Sequence, residues 1–185
     1  MAEFVLTPRG CAPELPRTRE RPFREIIAHA TTAQTEPWST DAMTDWDPEA
    51  FTRSLIADMR AHDGVPTSGP FEGRNVLILN TKGARSGEAR SAVLAYRQDG
   101  DRWSIAASKG GAPVHPAWFH NLGAHPDDVT IEVNNQIVPV RPLIEIDGPE
   151  RDRLWEAHVE EMPGFGDYPK KTERVIPMVA LERVD

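Results

Sequence analysis

Apolar and polar positions along the chain follow two regimes that change near residue 43. Through residues 1–42 no apolar periodicity is sustained, and five prolines (Pro8, Pro13, Pro16, Pro22, Pro37) interrupt the segment. Its one hopeful stretch, Phe23 to Ala30, allows about two helical turns, and isolated helices that short are marginal. Residues 1–42 are therefore expected to be a disordered extension. Met43 stands directly before Thr-Asp-Trp-Asp-Pro-Glu, the position of a second start if the reading frame is over-extended.

From Asp47 the pattern sharpens. Asp47 is a good N-cap, Pro48 suits the first helical position, and Glu49 favours the positive end of the helix dipole. Phe51, Leu55, Ile56 and Met59 share one face, which predicts an amphipathic helix over 48–61. Residues 63–73 carry five glycines and prolines and read as a loop. The nearly continuous apolar run 75–81 fits a buried strand, and 90–97 reads as another. Asp99-Gly100 signals a hairpin into a strand over 102–108. A Lys-Gly-Gly loop follows, then a short helix near 116–122 stopped by Gly123. Strands over 129–133 and 136–146 flank the two-residue turn Asn134-Asn135, with Pro139 and Pro142 pushing the second toward a sheet edge. Pro149 opens a last helix to about Glu161, with Leu154, Trp155, His158 and Val159 on one side. A Gly/Tyr loop and a strand near 175–181 close the chain. Hairpin-linked strands without βαβ alternation predict a mainly β, α+β fold: a small antiparallel barrel with helices packed outside.

Composition narrows the function. The chain has 185 residues, 39% of them hydrophobic, and a net charge of -8, which argues against general nucleic-acid binding. A single cysteine, Cys11, excludes an intramolecular disulfide and a cysteine-based zinc cage. No apolar run is long enough to span a membrane, and the first residues lack a signal-peptide core, so a cytoplasmic protein is expected. The dinucleotide glycine fingerprint, the P-loop ending, the serine elbow and the His-Glu-x-x-His motif are absent. His115, His120 and His125 recur at five-residue spacing, off any one helical face, and no metal site is expected. Charge is nonetheless uneven. Between Arg74 and Leu122 seven basic residues oppose three acidic ones, a local +4. Lys82, Arg85 and Arg90 bracket the turn Gly83 to Gly87, and Lys109 opens the Gly110-Gly111 loop. Glycines admit a ligand close to backbone N–H groups, so spacing alone leaves two readings: an anion site or a solvated hairpin rim.

Four blocks carry a family resemblance: Gly-Ala-Arg-Ser-Gly-Glu-Ala-Arg (83–90), Ala-Ala-Ser-Lys-Gly-Gly-Ala-Pro (106–113), His-Pro-Ala-Trp-Phe-His-Asn-Leu (115–122) and Thr-Glu-Arg-Val-Ile-Pro (172–177). In order and spacing the chain from about Asp45 resembles the deazaflavin-dependent nitroreductase family. The resemblance implies a split β-barrel over 43–185 that binds coenzyme F420, a deazaflavin with a phospholactyl-oligoglutamate tail. It implies that Ala84, Arg85, Ser86 and Arg90 meet the tail and phosphate, with Ser91, Ala92, Val93, Leu94 and Ala95 continuing along the adjoining strand. Ala106, Ala107, Ser108 and Lys109 match the strand end beside the deazaflavin. Ala117, Trp118, Phe119, His120 and Asn121 match the helical cofactor segment, and Phe165 and Tyr168 match aromatics on the substrate side. Trp118 also suits plain core.

The family's turn commonly carries a basic residue where Ala84 stands, with Lys82 placed to compensate. Substrate-side tyrosines of the nitroimidazole-reducing member correspond to Ala95, Met162 and Phe165, leaving Tyr168. The expected activity is hydride transfer from the reduced coenzyme to an electron-poor small molecule: a quinone, enone or nitro compound. Ser108 is expected to hydrogen-bond the acceptor's developing charge, and Tyr168 to donate a proton or stack. A soluble chain would reach membrane quinones only peripherally; oligomeric state stays open. Two alternatives stand beside this one: the same barrel holding FMN, and a non-catalytic carrier of the coenzyme.

Overall fold

The computed structural model describes residues 47–184; the expectations for residues 1–42 and the start at Met43 lie outside them. Helix α1 (Pro48–Ala61) begins where the cap signals place it. The Asp47 carboxylate accepts hydrogen bonds from the N–H groups of Glu49 at 2.8 Å and Ala50 at 3.0 Å, and Pro48 takes the first turn. The helix buries Leu55, Ile56 and Met59 against Val76 and Ile78. It leaves through Gly64, whose φ is 84° and whose Cβ, if present, would stand 3.1 Å from the Asn135 nitrogen. Only glycine fits there, and the close approach ties the helix end to the turn at Asn134-Asn135.

Seven strands follow: β1 (Val76–Lys82), β2 (Ala89–Ala95), β3 (Arg97–Asp99), β4 (Arg102–Ala106), β5 (Thr130–Val133), β6 (Gln136–Glu145) and β7 (Met178–Arg183). Between them lie α2 (Ala117–Ala124), α3 (Pro149–Glu161) and 3-10 turns at Lys109–Gly111 and Pro163–Lys171. All pairings are antiparallel, in the order β2-β1-β5-β6-β7-β4-β3. The two ends of that order, β2 and β3, are joined by Tyr96 alone. Laid flat, seven strands would separate their edges by about 29 Å, whereas the two steps from Ala95 to Arg97 span about 7 Å at most. The sheet must therefore curl until its edges meet, which makes the expected split barrel. Leu77, Leu79, Ile105, Ile131, Val179 and Leu181 fill its interior. Outside, α1 covers β1 and α3 packs Leu154 against Ile176 and Met178.

Several elements differ from expectation. The strand expected over 90–97 is broken at Tyr96, which is buried and donates its N–H to the Asn75 carbonyl at 3.1 Å. No glycine or proline marks this break, because the chain leaves one sheet edge for the other without turning back. Gly123 does not stop its helix; α2 runs to Ala124, and the His125 N–H closes it onto the Asn121 carbonyl. The Gly/Tyr segment is a 3-10 helix, Pro163–Lys171, and the last strand starts at Met178.

Strand β6 is internal rather than an edge. Its first half pairs with β5 and its second half with β7. Val140 donates to Val129 on the β5 side, so Pro142, two residues on, faces that same side beyond the end of β5. Pro139 turns its backbone the other way, where its carbonyl accepts from Val184 at the end of the described chain. The proline rule thus holds locally: each proline's missing N–H falls on a side of β6 just beyond the end of the strand that pairs there.

Candidate functional site

The turn between β1 and β2 is a compact backbone loop. Gly83 N–H donates to the Glu88 carbonyl and Gly87 N–H to the Gly83 carbonyl, both at 2.8 Å. A Cβ on Gly83 would lie 2.7 Å from the Ser86 hydroxyl, so a larger residue there must turn that side chain aside. Asn121 of α2 holds it from behind. The Asn121 Oδ1 accepts from the Ala84 N–H at 2.9 Å, and its Nδ2 donates to the Thr81 hydroxyl at 3.1 Å. Ala84, Arg85 and Ser86 then face solvent.

The cations around this turn are not equivalent. Arg90 pairs with Glu88 at 2.7 Å, and Lys82 approaches Asp128 at 3.7 Å. The Lys82 Cε stands 3.8 Å from where a Gly87 Cβ would be. Arg85 and Lys109 have no acidic partner among the described residues. A cation left unpaired beside exposed backbone donors suits an anionic group from outside.

The second part of the site is the end of β4. Ala106, Ala107 and Ser108 are buried, and Ala107 donates its N–H to the Pro177 carbonyl at 2.9 Å. Ser108 is right-handed (φ -75°, ψ -39°) and Lys109 left-handed at φ 47°. That succession points consecutive N–H groups to one side, a concave arrangement suited to anions. Gly110 and Gly111 continue at φ 65° and 83°. A Cβ on Gly111 would meet Lys171 Cβ at 2.9 Å and the Tyr168 carbonyl at 3.0 Å. This glycine lets the Pro163–Lys171 helix close onto the loop.

Arg174 fixes the same loop from below. Its Nε donates to the Ala112 carbonyl at 2.8 Å, and its Nη2 to the carbonyls of Ala107 at 3.0 Å and Ser108 at 2.8 Å. Its Nη1 donates to His115 Nδ1 at 3.1 Å. Among the described residues no carboxylate pairs with the guanidinium, and burial lowers its pKa. Arg174 lies in the Thr-Glu-Arg-Val-Ile-Pro block (172–177), where the resemblance implies no role for it. Its only signal was an arginine standing where the chain enters the last strand.

Helix α2 and strand β2 divide the remaining residues by face. Trp118 is 8% exposed and packs in the barrel interior, where Phe119 joins it; Ala117 and His120 are exposed. Along β2, Ala92 and Leu94 line the interior while Val93 packs against α1. The Ser91 hydroxyl donates to Asn80 Oδ1 at 2.6 Å, Asn80 Nδ2 donates to Glu132, and Glu132 takes a two-pronged bond from Arg60. Strand alternation therefore separates residues expected to act together. Phe165 and Tyr168 do come together with Ala106: Phe165 lies 5.1 Å from the Tyr168 ring and 4.5 Å from His158, ring centre to ring centre. Next to them opens a cleft of about 590 Å3 lined by Pro113, Pro169, Lys170, Lys171, Thr172, Glu173 and Arg174.

Turn, helix and strand end are thus one hydrogen-bonded assembly. Ala84 hangs from Asn121, α2 follows His115, and His115 shares Arg174 with Ala107 and Ser108. Among the described residues no group of three or more histidine, cysteine or acidic side chains could hold a metal. Arg85 and Lys109 carry no acidic partner among the described residues, and the end of β4 is built of the small buried residues Ala106, Ala107 and Ser108.

Comparisons with known proteins agree with that chemistry. An F420H(2)-dependent quinone reductase of Mycobacterium tuberculosis is 38% identical over 109 residues, covering 58% of this chain and 72% of the relative. The solved structure of an F420-H2 dependent reductase matches with a TM-score of 0.53 and 34% identity, over 59% of this chain and 95% of that one. A second solved structure, described as a domain-swapped dimer, matches with a TM-score of 0.55 and 30% identity over 74% of this chain and the whole of its own. The model of the F420H(2)-dependent quinone reductase family matches residues 51–183, and the chain therefore belongs to that family, an oxidoreductase whose cofactor is coenzyme F420.

Proposed function

We propose that this chain reduces flat, apolar quinones of the naphthoquinone type, with the anionic tail of F420 held by the turn at 82–90 and by Lys109. When bound, the reduced deazaflavin supplies the hydride. The protein's share is to bind, orient and exclude water. Arg85 and Lys109, lacking acidic partners, offer charge-assisted hydrogen bonds to phosphate and carboxylate groups. Ala106 and Ala107 leave room for a flat ring at the strand end, and Ser108 presents a hydroxyl to the acceptor. Tyr168 covers the acceptor side, over the cleft that continues to Arg174.

The observation that carries this reading is the pairing of unneutralised Arg85 and Lys109 with a buried small-residue strand end. The acceptor preference rests on Ala95, Met162 and Phe165, none of which offers a hydroxyl to orient a nitro group. A site rewards a polar substrate only where it holds the matching partner, whereas apolar contact contributes about 25 cal/mol per Å2 whatever the orientation. No helix among the described residues is long and apolar enough to cross a membrane. Cytoplasmic placement, with membrane quinones reached from the water side, belongs to the same proposal.

The test is titration of the purified chain with reduced F420, followed by steady-state rates with menadione and with a bicyclic nitroimidazole at equal coenzyme. A higher kcat/KM for menadione is expected. Preference for the nitroimidazole overturns the acceptor assignment. Tight binding without oxidation by any acceptor makes the chain a carrier, and a copurified chromophore with FMN absorbance replaces the cofactor.

A further inference from the structure

The fold places an unusual constraint on His115. Its Nδ1 faces the Arg174 guanidinium at 3.1 Å. A guanidinium has no acceptor, so Arg174 donates and Nδ1 carries no proton. The ring's proton is therefore confined to Nε2. That atom has no hydrogen-bond partner among the described residues, and it is not among the fully buried unsatisfied side-chain atoms. It is an N–H that is not fully buried and has no acceptor among the described residues.

The position of this donor matters. The same guanidinium that holds His115 also holds the carbonyls of Ser108 and Ala112, and Arg174 with Pro113 lines the cleft beside Tyr168. The His115 ring stacks at a tilt on Phe119, 4.8 Å between centres, and stands edge-on to His120 at 6.1 Å. It is half-buried, and Arg174, which holds it, reaches the cleft.

A quinone that takes up hydride must carry negative charge on oxygen before solvent protonates it. Fixed, uncharged donors aimed at such an oxygen are worth more than mobile ones, because they need no reorganisation as charge develops. We propose that His115, uncharged and protonated on Nε2, donates a hydrogen bond to the acceptor oxygen, with Arg174 as the positioning residue that fixes the tautomer. The electron pair and hydrogen come from the reduced coenzyme, the acceptor oxygen takes the charge, and water then supplies the proton. His115 itself neither gains nor loses one. Burial, the Arg174 charge and His120 all lower the His115 pKa, which keeps the ring neutral near pH 7. This inference rests on the quinone reading proposed above.

Two measurements test it. Nitrogen-15 NMR of the histidine rings in the protein without coenzyme reads the tautomer directly: wild type should show His115 protonated on Nε2, and Arg174→Gln should show a mixture. Single-turnover oxidation of bound reduced F420 by menadione should be about 100-fold slower in His115→Phe, as for loss of one such donor, with coenzyme affinity within twofold. His115→Gln, which keeps an amide N–H, should recover part of that rate. A wild-type proton on Nδ1, or His115→Phe and His115→Gln variants that both turn over within threefold of wild type, overturns the assignment while leaving the quinone reading intact. A wild type that does not oxidise the coenzyme with menadione at all overturns the quinone reading, and this assignment with it.

Discussion

Replacing Asn121 by alanine should loosen the coenzyme turn without touching any of its cations. Asn121 is 7% exposed, and its amide joins two elements: Oδ1 to the Ala84 N–H at 2.9 Å and Nδ2 to the Thr81 hydroxyl at 3.1 Å. A hydrogen bond of this kind contributes about 0.5–1.5 kcal/mol net. Ala84 is exposed, so water replaces one partner; Thr81 is buried, and the loss there costs more. Together the two give about 2–3 kcal/mol, or a midpoint lowered by about 5–10 °C for a chain of this size. Freed from α2, the turn must be reordered by its ligand, and reduced F420 should bind about tenfold more weakly, equivalent to about 1.4 kcal/mol. Asn121→Asp separates the two effects. It keeps an acceptor for Ala84 but adds a negative charge behind the turn, so affinity should fall at least as far as in the alanine variant. Thermal unfolding and coenzyme titration on the same preparations read both. An Asn121→Ala protein with its midpoint within 1 °C and its affinity within twofold of wild type would refute the idea that α2 positions the turn.

Other outcomes follow from the same geometry. Arg85→Ala and Lys109→Ala should each weaken coenzyme binding about tenfold, with the loss shrinking at high salt; unchanged affinity in both returns them to the solvated rim. His158 is fully buried with both ring nitrogens unpartnered among the described residues, and burial, with the Arg97 charge second, lowers its pKa from 6.5 to about 4. A lowered histidine pKa means the unfolded chain takes up the proton first, so stability should fall by about 3 kcal/mol as pH drops from about 6.5 to about 4. His158→Leu should abolish that slope in unfolding midpoints taken across the range. Asp99, held far below the usual carboxylate range by Arg153 and Arg102, contributes stability above its unfolded value of about 3.9 that is lost as pH falls below it. Asp99→Asn should flatten that acid limb, and unfolding at pH 3 compared with pH 7 checks it.

The barrel was legible because its strands are short, hairpin-linked and bounded by strong turn residues. Asn134 and Asn135 sit at φ 49° and 59°, the left-handed pair that such a turn demands. What hid was any break without local chemistry. Tyr96 separates two strands at opposite ends of the sheet, yet Ala95-Tyr96-Arg97 looks like continuous strand because the reason for the break is closure of the whole barrel. Site residues divided in the same way. Arg85 and Lys109 stood out as charge beside glycine, which is local. Asn121 acts across 37 residues on Ala84, and Arg174 across 66 on Ser108. Neither role is visible in spacing. Strand alternation was the one local rule that could have divided Ser91 to Ala95 in advance, since it sends Ser91 toward Asn80 and Ala92 toward the interior.

The remaining puzzle is how a chain of net charge -8 attracts a polyanion. Distance decides it. One acidic residue about 20 Å from a tail phosphate repels it by about 0.2 kcal/mol in water, and a Debye length of about 8 Å at physiological salt removes most of that. A cation in contact with the same phosphate gains about 1 kcal/mol even at the dielectric of water, and more at a partly desolvated surface. Arg85 and Lys109, the cations without an acidic partner among the described residues, therefore outweigh the global charge wherever salt is physiological. Arg174 adds to the balance in a way a paired arginine would not. Because its partners are carbonyls and a histidine nitrogen rather than a carboxylate, its full positive charge persists behind the strand end. Arg174→Lys keeps that charge but not the fork that reaches Ala107, Ser108 and Ala112 together. If charge alone mattered, the lysine variant would bind coenzyme as wild type does; the geometry requires that it bind more weakly, because the loop bearing Ser108 and Lys109 loses its frame.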